Sequence, residues 1–372
     1  MDLTDDLCRP IGTFYSINLD TPCSYGQHHN WPEVDPVFVP SSASASDGLQ
    51  LSVDFVPPAY EGPRELVDGR GSLLLLLTEK ERRDRLSCQC CYYVADYMTP
   101  DLVVCEPLTR RYQEIPPPDG DVCILGAFLL DGPAAAVGMT NFRVLLVLYE
   151  HTLEDAVSGH NGHGYPTTSV FTCGRTALNG RWHHVRESYD DVCLPRLEEV
   201  HLAGRTSDRI YWSCDDKQVV VLDEHTLEFS NVVLSEHMMN WFEFGRDNLR
   251  VVGGGDDGGT SVRIVHLTDN GHNLEVFRQH HGNNDWVLEM SVQLVEASRG
   301  LPGREEDYFD MKTIIIDADE GFVVLSPERK TWLYSVDLET MELKREYGRE
   351  EYTGPAFPYM REQEKDWLCV IL

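Results

Sequence analysis

Apolar and polar positions follow one another along this chain in short runs, and Gly, Pro, Asn, Asp and Ser cluster between the runs. Such runs predict strands separated by turns, and helical periodicity is hard to find. Strand candidates include Leu49 to Val56, Leu102 to Glu106, Val122 to Leu130, Phe142 to Tyr149, Thr168 to Cys173 and Trp182 to Glu187. Further on, Arg209 to Cys214 is placed to pair with Gln218 to Asp223 across an Asp-Asp-Lys turn. Ser261 to Leu267, Leu274 to Arg278, Trp286 to Val295, Thr313 to Asp317, Gly321 to Leu325 and Trp332 to Asp337 continue the series. Leu73 to Leu77 is an unbroken aliphatic run, which fits a strand buried on both faces. At 372 residues, a series this regular points to an all-β fold built from repeats.

One pattern recurs three times, in LVVCEPLTRRY (Leu102 to Tyr112), VVVLDEHTLEF (Val219 to Phe229) and LYSVDLETMEL (Leu333 to Leu343). Each runs an apolar strand into an acid (Glu106, Asp223, Asp337), with a Thr three residues later (Thr109, Thr226, Thr340). Three residues after the Thr comes Tyr112, Phe229 or Leu343. This is the layout of strand, tight turn and returning strand. The acid accepts hydrogen bonds from turn amides, and the Thr hydroxyl closes the turn from the other side. The acids lie 117 and 114 positions apart, too far for one blade of about 40 to 50 residues, so further blades fall between them. The fold expected is a β-propeller of six or seven four-stranded blades, of the kelch or galactose-oxidase-like kind. It spans 36–347, after an N-terminal arm (1–35) and before a C-terminal tail (348–372).

The order and spacing of these segments resemble the β-propeller domain of plant F-box proteins of the grass type. The resemblance covers roughly residues 36 to 347. It is carried by PVFVPS (Pro36 to Ser41), by LVVCEPLTRRYQEIPPP (Leu102 to Pro118), by Phe142-Arg143-Val144, by Val170 to Trp182, by Arg209 to Asp223 and by Gly321 to Asp337. It implies a protein-interaction module like those that hold substrates for ubiquitin transfer. The helical F-box of the family is not visible in the first 35 residues, where Pro10, Pro22 and Pro32 would break helices. Docking to the cullin adaptor is therefore not expected, and the implied role is that of a free binder, competitor or decoy.

Charge narrows the choice of partners. The chain has 62 acids against 31 bases, a formal net charge of −31. That argues against binding nucleic acid through phosphates and against electrostatic attachment to anionic membranes. It admits a face that attracts a basic protein. The N-terminus lacks the apolar core of a secretory signal, and no run approaches the ~20 residues of a membrane span. The 11 Cys read as reduced thiols, which places the chain in the cytoplasm or nucleus.

Few motifs carry specific chemistry. Cys369-Val370-Ile371-Leu372 fits C-a-a-X with a geranylgeranyl-type last residue, so Cys369 is a candidate for prenylation and peripheral membrane contact. Cys88 and Cys91 have zinc-like spacing but no second pair nearby. The pairs His28-His29, His183-His184 and His280-His281 would point to opposite sides of a strand. GGGDDGG (Gly253 to Gly259) lacks the Lys and Ser or Thr of a phosphate cradle, and Asp317, Asp319 and Gly321 read as a turn. No metal, cofactor or catalytic residue is assigned, and the chain is not expected to be an enzyme. An enzyme or small-molecule site at the channel mouth, and a prenylated scaffold, are the alternatives. Candidate partner contacts are Tyr97, Trp241, Phe242 and Trp286, with blade core the simpler reading of Trp286.

Overall fold

The computed structural model describes residues 12–15, 35–40, 50–57, 64–78, 101–118, 123–130, 138–151, 163–173, 180–185, 192–214, 218–234, 238, 247–254, 261–279, 285–310, 312–327, 332–346 and 356–359. Their strands form six antiparallel sheets arranged as the six blades of a β-propeller. Blade 1 runs β3 (Arg64–Arg70), β4 (Leu73–Thr78), β5 (Asp101–Glu106) and β6 (Arg111–Ile115). Blade 2 runs β7 (Cys123–Leu130), β8 (Arg143–His151), β9 (Gly164–Thr172) and β10 (Arg181–Val185). Blade 3 runs β11 (Val200–Arg205), β12 (Arg209–Cys214), β13 (Gln218–Asp223) and β14 (Phe229–Val232). Blade 4 runs β15 (Leu249–Gly253), β16 (Val262–Thr268), β17 (Asn273–Gln279) and β18 (Trp286–Gln293). Blade 5 runs β19 (Thr313–Ala318), β20 (Phe322–Pro327), β21 (Tyr334–Asp337) and β22 (Leu343–Arg345). The first strand of each blade lies innermost and touches its counterparts in neighbouring blades.

Blade 6 closes the ring from both ends of the chain. β23 (Ala356–Tyr359) packs beside β3 and pairs with β1 (Gly12–Tyr15), which pairs in turn with β2 (Val37–Pro40). β1 and β23 fall outside the 36–347 span. Phe14 and Tyr359 are fully buried, with ring centroids 5.5 Å apart, and the Tyr359 hydroxyl accepts the amide of Leu108. Closing the ring through hydrogen-bonded strands covers the two apolar blade faces an open array would leave bare.

Apolar side chains are buried between blades. The run Leu73–Leu77 shows how: Leu73 and Leu75 face blade 2, while Leu74 and Leu76 face blade 6. β8 does the same, with Val144, Leu146 and Leu148 toward blade 1 and Leu145, Val147 and Tyr149 toward blade 3. Strands flanked by sheets on both sides need apolar residues at every position, which is why these runs do not alternate. The innermost strands of blades 1, 2, 3 and 5 each carry one extra residue against their partner, after Leu66, Ile124, Leu202 and Ile315. Such bulges bend a strand and re-aim the side chains beside it.

Candidate interaction surfaces

The two ends of the ring differ. One end carries the turns that join first to second and third to fourth strands of each blade. The threefold sequence pattern builds three of these turns, in blades 1, 3 and 5. In blade 3 the Asp223 carboxylate accepts the amides of His225 and Thr226, both at 2.9 Å, and the Thr226 hydroxyl accepts the amide of Glu228. In blade 5 Asp337 accepts the amides of Glu339 and Thr340 and the Thr340 hydroxyl, which itself accepts the amide of Glu342. Blade 1 has the longer Glu106, which takes side chains instead: the hydroxyls of Ser72 and Thr109 and the guanidinium of Arg111. The residue after each Thr turns left-handed, with φ of 54° at Arg110, 59° at Leu227 and 56° at Met341.

These bonds favour the ionised acids. Burial works against Glu106 and Asp223, yet their donors hold both carboxyls below the ordinary value. The Thr340 amide and hydroxyl and the Glu339 amide do the same for Asp337.

At the same end, a half-buried charged cluster ties blades 1, 2 and 3 together beside the central channel. Arg205, following the bulge of β11, donates from Nε and Nη2 to the two oxygens of Glu224 at 2.6 and 2.9 Å. Its Nη1 reaches Asp68 of blade 1 at 2.8 Å, and its Nη2 also meets the Leu129 carbonyl of blade 2. Asp68 accepts the Leu129 amide at 2.6 Å as well, and Arg70 donates to Glu224 and to the Leu129 carbonyl. Arg205 lies over the Phe128 ring, 5.6 Å from its centroid. Burial opposes its charge, but Asp68 and Glu224 hold its pKa above the usual arginine value. Burial raises the Asp68 carboxyl, against the pull of Arg205 and of the Leu129 and Gly69 amides. Gly204 makes the geometry possible: its φ is +155°, and a Cβ there would lie 2.0 Å from the Val251 carbonyl. Every charged group of the cluster is engaged, so it reads as a clasp between blades.

The opposite end carries the connections from one blade to the next. The best defined is 294–310, between β18 and β19. It opens with one helical turn, α1 (Leu294–Ala297), packed on β17 and β18. The His272 carbonyl holds the Leu294 amide, and the Phe309 carbonyl meets His272 Nε2 at 2.9 Å. Tyr308 packs at a tilt against Trp332 with centroids 5.1 Å apart, and the Trp332 indole donates to the Pro302 carbonyl. Arg304 covers Phe309 and binds Ser298 Oγ and the Val295 carbonyl. With that underside pinned, the connection carries exposed Glu296, Glu305, Glu306, Asp307 and Asp310, of which Glu296 is paired with Arg299 at 2.7 Å. A long connection pinned by aromatic anchors is the kind of loop that presents side chains for recognition.

Of the contacts expected from sequence, Trp286 is 7% exposed, packs between blades 3 and 4, and donates its indole N–H to the Val233 carbonyl. It is blade core, with no ring face left for a partner. Tyr97, Trp241, Phe242 and Cys369 lie outside the described residues, as do Cys88, Cys91, His28, His29, His280 and His281. Asp319 accepts the Glu320 amide in the β19–β20 turn, whereas Asp317 lies in β19 beside its bulge and accepts the Ala318 amide. Sequence reasoning missed the clasp and the pinned connection. The run REEDYFD (Arg304 to Asp310) carried the local signal, with charges on its outer side and two aromatics to anchor it.

No protein-family model matches the sequence, and a search of curated proteins finds no match. Solved structures similar to it include YCF48 bound to a D1 peptide, at 10% identity over 77% of this chain and 68% of that one, with a TM-score of 0.39. An α-L-arabinofuranosidase from Fusarium graminearum is similar at 11% identity over 73% of this chain and 77% of its own, TM-score 0.39. A GH74 xyloglucanase from Xanthomonas campestris is similar at 10% identity over 91% of this chain and 55% of its own, TM-score 0.38. These are likenesses of fold alone. They correct the expectation that the chain is not an enzyme, because propellers of this kind include enzymes as well as binders.

Proposed function

We propose that this chain is a protein-interaction propeller that holds a basic partner on the pinned connection between blades 4 and 5. The observation that supports this most is the connection itself. Tyr308, Phe309, Trp332 and His272 fix its underside, and it exposes Glu305, Glu306, Asp307 and Asp310 in addition to Glu296, which Arg299 pairs. A rigid surface pays little ordering entropy on binding, and acidic groups steer basic partners at low salt. The net charge of −31 acts in the same direction at long range. The resemblance to substrate-holding propellers of plant F-box proteins supports the same reading.

The test is affinity capture from plant cells with the native chain and with a Glu305→Lys/Glu306→Lys/Asp310→Lys variant, partners being identified by mass spectrometry. A partner retained by the native chain, released by about 0.5 M salt and lost from the variant supports the reading. Equal retention by both chains would sink it.

A further inference from the structure

We infer that Pro116 and Pro117, in the connection from blade 1 to blade 2, dock a partner domain that reads polyproline II segments in an aromatic-lined groove. Ile115, Pro116 and Pro117 each precede a proline, which disfavours the helical region and holds each of them extended. The proline rings also fix φ at about −65° from Pro116 to Pro118. The backbone is thereby set as polyproline II, a helix of about three residues per turn without internal hydrogen bonds. Burial follows that repeat: Ile115 and Pro118 are buried, while Pro116 and Pro117 between them are exposed. One ridge of the helix faces the blades and the other two face solvent. The segment is also held in place. The Trp182 indole of β10 donates to the Pro116 carbonyl at 2.6 Å, and the Trp182 ring packs edge-on against Phe171. Ile115 belongs to the apolar layer between blades 1 and 2.

The chemistry of the exposed ridges selects the partner. A proline pair has two rigid apolar rings and no N–H, so it offers a partner ring faces and carbonyl oxygens. The Pro117 carbonyl accepts no hydrogen bond among the described residues, which leaves it for a donor of the partner. Grooves of SH3, WW and EVH1 domains hold such rings between aromatic side chains, and they gain from a ligand already fixed in its bound shape. The flank adds a charge. Exposed Glu114 of β6 stands two residues before Pro116 and forms no ion pair among the described residues, so a Lys or Arg on the rim of the groove has a counterpart. The segment shares the connection end of the ring with the acidic connection but lies in other blades. The two surfaces therefore stand or fall separately.

The probes are isotope-labelled SH3, WW and EVH1 domains, titrated with the unlabelled full chain and followed by chemical-shift changes. At least one domain should shift at its aromatic groove, and a free oligoproline peptide should compete the shifts away. The competition uses the native chain, so its outcome does not depend on how a variant folds. Pro116→Ala/Pro117→Ala should bind that domain at least tenfold more weakly, with circular dichroism unchanged. The Glu305→Lys/Glu306→Lys/Asp310→Lys variant should bind it as the native chain does. No groove shifts in any of the three domain types, or shifts that survive excess oligoproline, would overturn the inference. Equal binding by the Pro116→Ala/Pro117→Ala variant would also overturn it, and a lower melting temperature in that variant would then assign the two prolines to stiffening the connection.

Discussion

Arg205 is the residue on which the charged clasp depends. It faces Asp68 and Glu224, and the Glu224 side chain is only 6% exposed. Removing one partner of a buried ionic group leaves the others uncompensated, which costs about 3 to 5 kcal/mol. Arg205→Ala is therefore expected to lower unfolding stability by about that amount, measured by urea titration. A loss under about 1 kcal/mol would mean that the carboxylates find other donors or water. Beside it, Gly204→Ala must displace the Val251 carbonyl or change the backbone, and should lower soluble yield and melting temperature together. None of this was legible in the sequence. Asp68, Leu129, Arg205 and Glu224 sit in four different strands or turns, and only the curvature of the ring brings them together. Trp286 had been an ambiguous residue, because sequence alone does not separate a buried aromatic from a contact aromatic. Trp286→Ala is expected to cost about 3 to 5 kcal/mol, as for other large core truncations, a cost that a surface ring would not show.

At the level of elements, the acid–Thr turn is the part the sequence showed most clearly. Its hydrogen bonds span at most a few residues, so spacing alone implied them, and blades 3 and 5 carry them as expected. Thr226→Ala and Thr340→Ala each remove a hydroxyl that bonds a turn amide, and each is expected to cost about 1 kcal/mol. The turns lie in separate blades, so the double variant should show the sum. The same turns set an acid limit. Glu106, Asp223 and Asp337 titrate below their ordinary values in the folded chain. Their stabilisation is thus complete above the unfolded pKa near 4 and is lost as pH falls through the lowered folded values. The urea midpoint should drop as pH falls below about 4. It should drop less steeply in Asp223→Asn/Asp337→Asn, whose amides still accept the turn hydrogen bonds but do not titrate. An equal slope in that variant would assign the acid sensitivity to other carboxylates. The inner-strand bulges and the pairing of β1 with β23 were illegible for the opposite reason. They depend on partners far away in sequence, and two four-residue strands carry little pattern of their own.

For the whole molecule, the regular succession of strands and turns was enough to imply a ring, and the blades have the expected four strands wherever both chain ends are not involved. The binding surface was less legible. Acid content is a property of the entire chain, and only folding shows that aromatic anchors pin one acidic connection. The central claim is that a basic partner sits on that side of blades 4 and 5. Hydrogen-exchange mass spectrometry of the chain, alone and bound to the partner retained in affinity capture, tests it most directly. The amides of residues 286 to 310 should gain protection on binding. Protection confined to the turn end, at residues 206 to 208, 223 to 228, 319 to 321 and 337 to 342, would contradict the account and move the partner to the opposite face of the ring.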